Sequence, residues 1–562
     1  MKRFVLLVYL LVASVHAQQP SATTITVGLF TTRSIHSLIV IPLGANAWQQ
    51  TCATCRQTAL HAPLHLDHID HAIRLGGNFR LQFKEDAPPV EAAGLYTIAP
   101  SSEGLRVTLQ FPSEKYVAAV LSAEADPDEP AASLEALAIA ARTFALTNLR
   151  RHEKAGFDLC DSTHCQALHL GPVRPAIAEA VRNTAGISLW NGSHRASIYY
   201  TQHCGGISEA ASAVWPDEHA SYLTSHADPY CLRRSSAEWQ TSVPLTDLSR
   251  IASEQHWNLP TPITSIRISQ RTTSGRVKLL EVSSPTHTAT LSASSLHFAI
   301  NRTLGWNRIR SDLYMVTVAN GTVHFAGHGY GHGVGLCQAG ALQMALEHHT
   351  AAEILTFYFP NTHLGLTPSG GLWHEEKVGR VTLRTITSNP ELAPIVQRAW
   401  QRALKLLPSS ETPHPTIILA PTTELFRQLS TGPGYLLAVT RDNQITLQPL
   451  PVLRLNGPIE PLLLHELVHT LIESQSTDKA PLWLREGLAA ALTETYSADG
   501  PPPSSLATIE RGLADPRNLA ESQQAHRDAA AIVHALGHSY SLEVMRQWLR
   551  DGIPAQDLGE LH

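Results

Sequence analysis

Residues 460–473 read E-P-L-L-L-H-E-L-V-H-T-L-I-E, and residues 479–489 read K-A-P-L-W-L-R-E-G-L-A. Leu463, Leu464, Leu467, Val468 and Leu471 cover most of a helix and predict that it is buried. In the H-E-x-x-H pattern His465 and His469 stand four residues apart, so both project from one helical face and can hold one ion. Glu466 lies beside them, placed to take a proton from a water there. Glu486 opens a second helix-like stretch and offers a third, oxygen donor. Two imidazoles and a carboxylate with a fourth position left to water make a catalytic zinc set, not a closed structural one.

This segment resembles the gluzincin-type metallopeptidases of the MA-like group. In that group a P-x-W-L-x-E-G-x-A run follows the metal helix, matched here by Pro481, Trp483, Leu484, Glu486, Gly487 and Ala489. The resemblance covers about residues 380–562 and implies a zincin-like α+β domain. It also implies Zn2+ on His465, His469 and Glu486, with Glu466 as general base. The group that steadies the oxyanion is left open among His526, His538 and Tyr540.

Working toward the N-terminus, residues 367–379 carry T-P-S-G-G and read as a linker. Residues 327–340 hold G-H-G-Y-G-H-G-V-G-L-C-Q-A-G. Alternating glycines allow tight turns and close backbone approach, and His328, His332 and Gln338 form a candidate subsite wall. Residues 170–325 read as mixed short strands and turns. Residues 24–111 alternate apolar and polar groups, as in I-T-V-G-L-F, and predict strands. Residues 128–152 switch to a helical period through Leu134, Leu137, Ala141, Ala145 and Leu149, with Asp128 as cap and Pro130 in the first turn. Glu124 ends an apolar run just before this helix, near Asp126, Asp128 and Glu129. Apolar neighbours and like charges both disfavour its ionised form, as a general acid requires.

The seven cysteines are C-x-x-C at Cys52 and Cys55, the pair Cys160 and Cys165 flanking His164, and the scattered Cys204, Cys231 and Cys337. No βαβ pattern surrounds Cys52 and Cys55, so a local disulfide or two ordinary thiols is expected there. Cys160 and His164 have metal-ligand character, and Cys165, His203 and Cys204 could join them. Cys160–Cys165 or Cys165–Cys204 disulfides compete equally. Met1–Ala17, with Lys2 and Arg3 before an apolar run, reads as a secretory signal, which predicts export to a periplasm, envelope or extracellular space. A net charge of −6 argues against nucleic acid as a partner.

Several of these blocks occur in one order: an A-E segment at Glu124, A-A-R-T-F-A-L from residue 140, C-D-S-T-H-C-Q from residue 160, C-G-G from residue 204, and the glycine-rich run. In that order, over about residues 24–366, they resemble the stage II sporulation protein D family, also called the LytB amidase-enhancer family. The resemblance implies a lytic transglycosylase of peptidoglycan with its catalytic acid at Glu124. It also implies a zinc site at Cys160 and His164, and substrate contacts at the motif residues Arg142, Tyr200, His328, His332 and Gln338. Ala125, the missing W-P before Leu134, Cys337 and Ala339 depart from the commonest family form.

The whole chain is thus expected to be a multidomain α+β protein. A strand-rich module with a central helix would be followed by a linker and a peptidase-like domain. The implied partners are glycan strands, a cell-wall amidase, and a peptide or protein substrate of unknown identity. A non-catalytic peptidoglycan-binding enhancer is the alternative.

Overall fold

The computed structural model describes residues 24–44, 46–83, 88–260, 262–409, 412–496, 504–514, 516, 518–554 and 557; the leader Met1–Ala17 lies outside them. The alternating N-terminal stretch forms a nine-stranded sheet built around the long strands Ile73–Phe83, Val90–Ser101 and Gly104–Pro112. These pair antiparallel, with Ser101 opposite Gly104 at the hairpin end. Thr24–Leu29 adds antiparallel to Gly104–Pro112 and takes Leu159–Cys160 as a parallel neighbour. One face of the sheet buries Ile25, Val27, Phe79, Tyr96 and Leu109.

Two helices continue the same core. The apolar run before the acidic turn is itself a helix, Ser113–Glu124, and Glu124 is its last residue. The helix Ala131–Thr147 is buried from Ala136 through Leu146, as an element apolar on all sides must be. Its N-cap is Pro130 with φ −61°, so the proline stands before the helix and not within it. Asp128 makes no cap. Glu129 instead accepts a hydrogen bond from Asp126 N and one from the Ser133 hydroxyl.

The region read as mixed strands and turns is more organised than expected. Residues 239–325 hold a hydrophobic core of their own, with Trp239, Val243, Leu280, Ile300, Val323 and Phe325 at its centre. The three-stranded sheets Glu238–Pro244/Thr322–His328/Tyr314–Ala319 and Ser265–Arg271/Val277–Ser283/Thr288–Ser292 enclose it with helices Leu245–Glu254 and Ala293–Leu304. The chain stays in the first core through Cys231, then builds this unit and returns as the glycine-rich run.

The last third has a separate core under a five-stranded sheet. Val381–Thr385, Thr416–Leu419 and Gln444–Leu447 run parallel, with Ala438–Arg441 antiparallel on one edge. Helices Leu392–Leu406, Ile459–Glu473, Leu482–Thr493 and Leu519–Leu536 pack around it. The stretch read as a linker, residues 367–379, is anchored to the first half. Thr367–Gly370 is a turn, Trp373 Nε1 donates to Ala185 O at 2.8 Å, and His374–Val378 is already the first strand of the second sheet. Arg384 Nη1 donates to Arg182 O at 2.7 Å, and Leu425 packs into the first core.

Arg142 departs most from its sequence reading. Its side chain is wholly buried and paired with Glu114, Nη2 to Oε2 at 2.5 Å, while Nη1 donates to Ile187 O at 3.1 Å. It cannot reach a ligand; it joins the Ser113–Glu124 and Ala131–Thr147 helices to the segment after helix Pro175–Asn183. Removing one partner strands the other. Arg142→Met is expected to cost about 3–5 kcal/mol of unfolding free energy in a denaturant titration of the full chain. A loss under ~1 kcal/mol would show that the pair is not a structural clamp.

Candidate functional site

Two clefts gather the chemistry. The first, of about 330 Å³, lies between the first core and the inserted unit. It is lined by Glu124 from the end of its helix, Gln202 and His203 beside the C-G-G turn, Arg234, Arg310 and Gln338, among others. The glycine-rich run builds this cleft by packing on protein backbone. Tyr200–Thr201 pairs in parallel with Leu336–Cys337, and His203 bridges to Tyr330. A Cβ on Gly331, at φ +98°, would stand 2.4 Å from Thr201 Oγ1; one on Gly335, at φ +73°, would stand 2.1 Å from Tyr199 O. Only glycine fits either place.

Burial raises the Glu124 carboxyl above its ordinary range, opposed by hydrogen bonds from the Gln338 amide and the Ala167 backbone. Gln338 Nε2 also reaches Glu124 O at 3.4 Å. Behind the cleft, the Tyr200 hydroxyl accepts from Gln166 Nε2 at 3.1 Å, and Gln166 Oε1 accepts from the Tyr116 hydroxyl at 2.8 Å. Burial, reinforced by the charge of Glu124, keeps the Tyr200 phenol protonated. Tyr200 therefore backs the site and does not line it.

Neither His328 nor His332 of the glycine run is among the residues that line this cleft. His332 is packed edge-on to Trp215, ring centroids 5.0 Å apart, and its Nδ1 accepts from Val334 N at 2.9 Å. Burial, with Arg276 nearby, lowers it to about 4, so it is a neutral packing residue. His328 is exposed at the end of strand Thr322–His328, while its neighbours Gly329 and Tyr330 line the cleft.

Beside this cleft, at the parallel strand Leu159–Cys160, stands a second group of donors. His152, Cys160, His164 and Cys165 bring one atom each to within 4.8 Å of one another. Cys160 Sγ lies 3.6 Å from His164 Nδ1, and His152 Nε2 lies 3.3 Å from Cys165 Sγ. A hydrogen bond from Cys165 favours Cys160 as thiolate, with Ser162 and His164 helping against burial. His152 was invisible in the sequence, since no spacing rule links it to the C-x-x-x-H pair. Two expected participants are elsewhere. His203 uses both nitrogens, Nε2 donating to Ser235 O at 2.9 Å and Nδ1 accepting from Gly205 N at 3.0 Å. Cys204 lies with Cys231 and Cys337, which removes a Cys165–Cys204 disulfide. Cys52 and Cys55 are disulfide-bonded.

The second cleft, of about 1320 Å³, opens over helices Ile459–Glu473 and Leu482–Thr493. The helical spacing brings His465 Nε2 to 3.1 Å from His469 Nε2, and Glu486 Oε2 comes to 3.2 Å from His469 Nε2. The three donors lie within 4.8 Å of one another. Burial, helped by His469, pushes His465 down to about 3, which leaves the imidazole neutral and its lone pair free to bind. Burial raises Glu466, whose Oε2 accepts from Thr440 Oγ1 on the edge strand at 2.5 Å. Of the three oxyanion candidates only His526 lines this cleft, 3.4 Å from Glu486. Tyr540 donates to Asp557 and His538 packs on His534.

Residues 101–190 match the stage II sporulation protein family, and residues 233–335 match a domain of unknown function. The chain is 30% identical over 281 residues to an uncharacterised protein of Brachyspira hyodysenteriae, covering 71% of that protein and 48% of this one. The first half of the chain belongs to the stage II sporulation protein family. It is also 28% identical over 275 residues to a Bacillus subtilis protein named amidase enhancer, and the match spans 38% of that relative's length. The family match contains Glu124, Arg142 and the Cys160–Cys165 group, whereas the domain of unknown function coincides with the inserted unit and most of the glycine run.

A carbon-13 titration of the Glu124 carboxyl should give a midpoint above 4.5. Gln338→Leu should move it higher still, because the lost amide had favoured the charged form. A downward shift in that variant would mean that Gln338 does not donate to the carboxylate.

Proposed function

We propose that the protein is an exported cell-wall enzyme whose first cleft cleaves the glycan strands of peptidoglycan by lytic transglycosylation. Glu124 carries this reading. It is a carboxyl group held toward its protonated form, bonded to Gln338, in a cleft that Arg234 and Arg310 also line. Burial raises the Glu129 carboxyl as well, but it is taken up by the Ser133 hydroxyl and Asp126 N, and Asp126 pairs with Arg234 at 3.4 Å. One acid/base group is what the reaction needs. Glu124 gives its proton to the glycosidic oxygen as the bond to the anomeric carbon of muramic acid breaks. The resulting carboxylate takes the proton of the muramic C6 hydroxyl, whose oxygen bonds that anomeric carbon and closes a 1,6-anhydro ring. No enzyme nucleophile and no second carboxylate enter, unlike the two-carboxylate glycosidases.

Glu124→Gln keeps the shape and removes the titration. Anhydro-ended products from glycan strands without stem peptides, measured by mass spectrometry, should fall at least ~10²-fold. Unchanged yield would overturn the assignment. A parent protein that releases no anhydro ends, yet speeds a partner amidase, would favour the enhancer reading that the name of the B. subtilis relative suggests.

In the second cleft the donor set fits a catalytic zinc ion. The donors are a neutral buried imidazole, a second imidazole and a carboxylate, converging at an open cleft. His465, His469 and Glu486 would hold the ion, which supplies Lewis acidity at the cleft floor. Glu466, fixed by Thr440, would accept a proton from the attacking water, and His526, in the same cleft and 3.4 Å from Glu486, would steady the developing oxyanion. The strand Ala438–Arg441 lies at the end of its sheet beside Glu466, so an extended peptide can add to it by main-chain hydrogen bonds.

Glu466→Gln should keep zinc by elemental analysis and lose peptide hydrolysis, since it removes the base and not a ligand. His469→Ala should lose both. Loss of zinc in Glu466→Gln, or retention of full zinc occupancy in His469→Ala, would overturn the assignment of roles.

A further inference from the structure

Cys204, Asp228, Cys231 and Cys337 come from three distant parts of the sequence and meet in the interior, each fully buried. One donor atom of each lies within 4.8 Å of every other. Cys204 Sγ is 3.4 Å from Cys231 Sγ and 3.2 Å from Asp228 Oδ2. A tetrahedral ion with metal–sulfur bonds of ~2.3 Å spaces its sulfur ligands by about 3.8 Å, close to what is observed and far from a sulfur–sulfur bond. We propose that these residues form a structural Cys3Asp site for a single zinc ion, separate from both clefts.

Backbone N–H groups point at two of the sulfurs, and both carboxylate oxygens have donors of their own. The backbone N–H of Cys204 donates to Cys337 Sγ, and that of Gly206 to Cys231 Sγ, each at 3.2 Å. Asp228 Oδ1 accepts from Tyr230 N and Cys231 N at the start of helix Pro229–Arg234, and Oδ2 accepts from the Tyr358 hydroxyl at 2.9 Å. These are the supporting bonds that orient ligands toward an ion. Three thiolates and a carboxylate around a divalent ion leave a net charge of −2. The buried guanidinium of Arg276 is held against the cluster, Nη2 to Cys204 O at 2.6 Å, and offsets part of it. Four protein donors and no route to solvent make a closed site, which holds structure and does no chemistry.

What it holds is the wall of the glycan cleft. His203 precedes Cys204, Arg234 follows Cys231 on the same short helix, and Gln338 follows Cys337; all three line the cleft that contains Glu124. An ion gripping the three cysteines fixes these three segments relative to one another. The inserted unit that interrupts them then does not have to.

The test uses the full-length protein. It is denatured and alkylated without reductant, then mapped. Cys204, Cys231 and Cys337 should all carry the label, while Cys52 and Cys55 should take it only after reduction. A Cys204–Cys231 disulfide in the unreduced map would overturn the site. Elemental analysis should then find one zinc fewer per chain in Cys337→Ser than in the parent. Should that variant fail to fold, Asp228→Asn keeps the shape and the Tyr358 contact. It should surrender one zinc to a chelator at a concentration at least ~10-fold lower than the parent does. Unchanged metal content in folded Cys337→Ser, or unchanged chelator resistance in Asp228→Asn, would show a packed thiol cluster without metal.

Discussion

Two residues of parallel strand, Tyr200–Thr201 against Leu336–Cys337, hold together what the chain itself separates. Between them lies a unit with its own core, and the ladder brings Gln202 and His203 beside Gln338 in the lining of the cleft that holds Glu124. Four peptide groups supply too little free energy to close so long a loop, since each net backbone hydrogen bond contributes only about 1 kcal/mol. The pairing persists because glycines let the returning strand lie flat on Tyr199–Gly205, and because buried cysteines and aromatic rings fill the space beneath. The cleft is a consequence of that closure.

The two clefts solve opposite electrostatic problems with the same means. In each, burial moves a titratable group toward its neutral form: Glu124 becomes a proton donor, and His465 becomes a lone-pair donor. A neighbouring hydrogen bond then limits the shift at each carboxyl group, Gln338 for Glu124 and Thr440 for Glu466. Both sites are placed at the ends or faces of helices already committed to a core, so the positions of the reactive atoms follow from packing that would exist without them.

Much of this was legible in the amino-acid sequence, for reasons that also mark where legibility ended. The periodicity of residues 459–473 and of 131–147 names both central helices, because a helix face is a local property. Glu124 was identifiable, but its helix was not, since Y-V-A-A-V-L-S-A-E is short and apolar enough to serve a strand equally well. The inserted unit was hidden because its strands are five to seven residues long and its boundaries carry no break in composition. His152, and the meeting of Cys204 with Cys231 and Cys337, depend on topology alone, and no spacing rule reports that. Arg142 shows the reverse error. A motif arginine invites a ligand, yet this one satisfies Glu114 and backbone carbonyls inside the core.

The contact between the halves of the chain has a consequence for how the molecule is put together. At the end of helix Pro175–Asn183 the guanidinium of Arg384 donates to the carbonyls of Arg182 and Asn183, and Trp373 donates to that of Ala185. The first half is therefore finished by residues that leave the ribosome after it. Until the second sheet emerges, the donors of Arg384 and Trp373 are absent and the pocket for Leu425 stays open. The fusion is a completion of the fold, and separating the halves at the turn between them would leave the earlier one without its final cap.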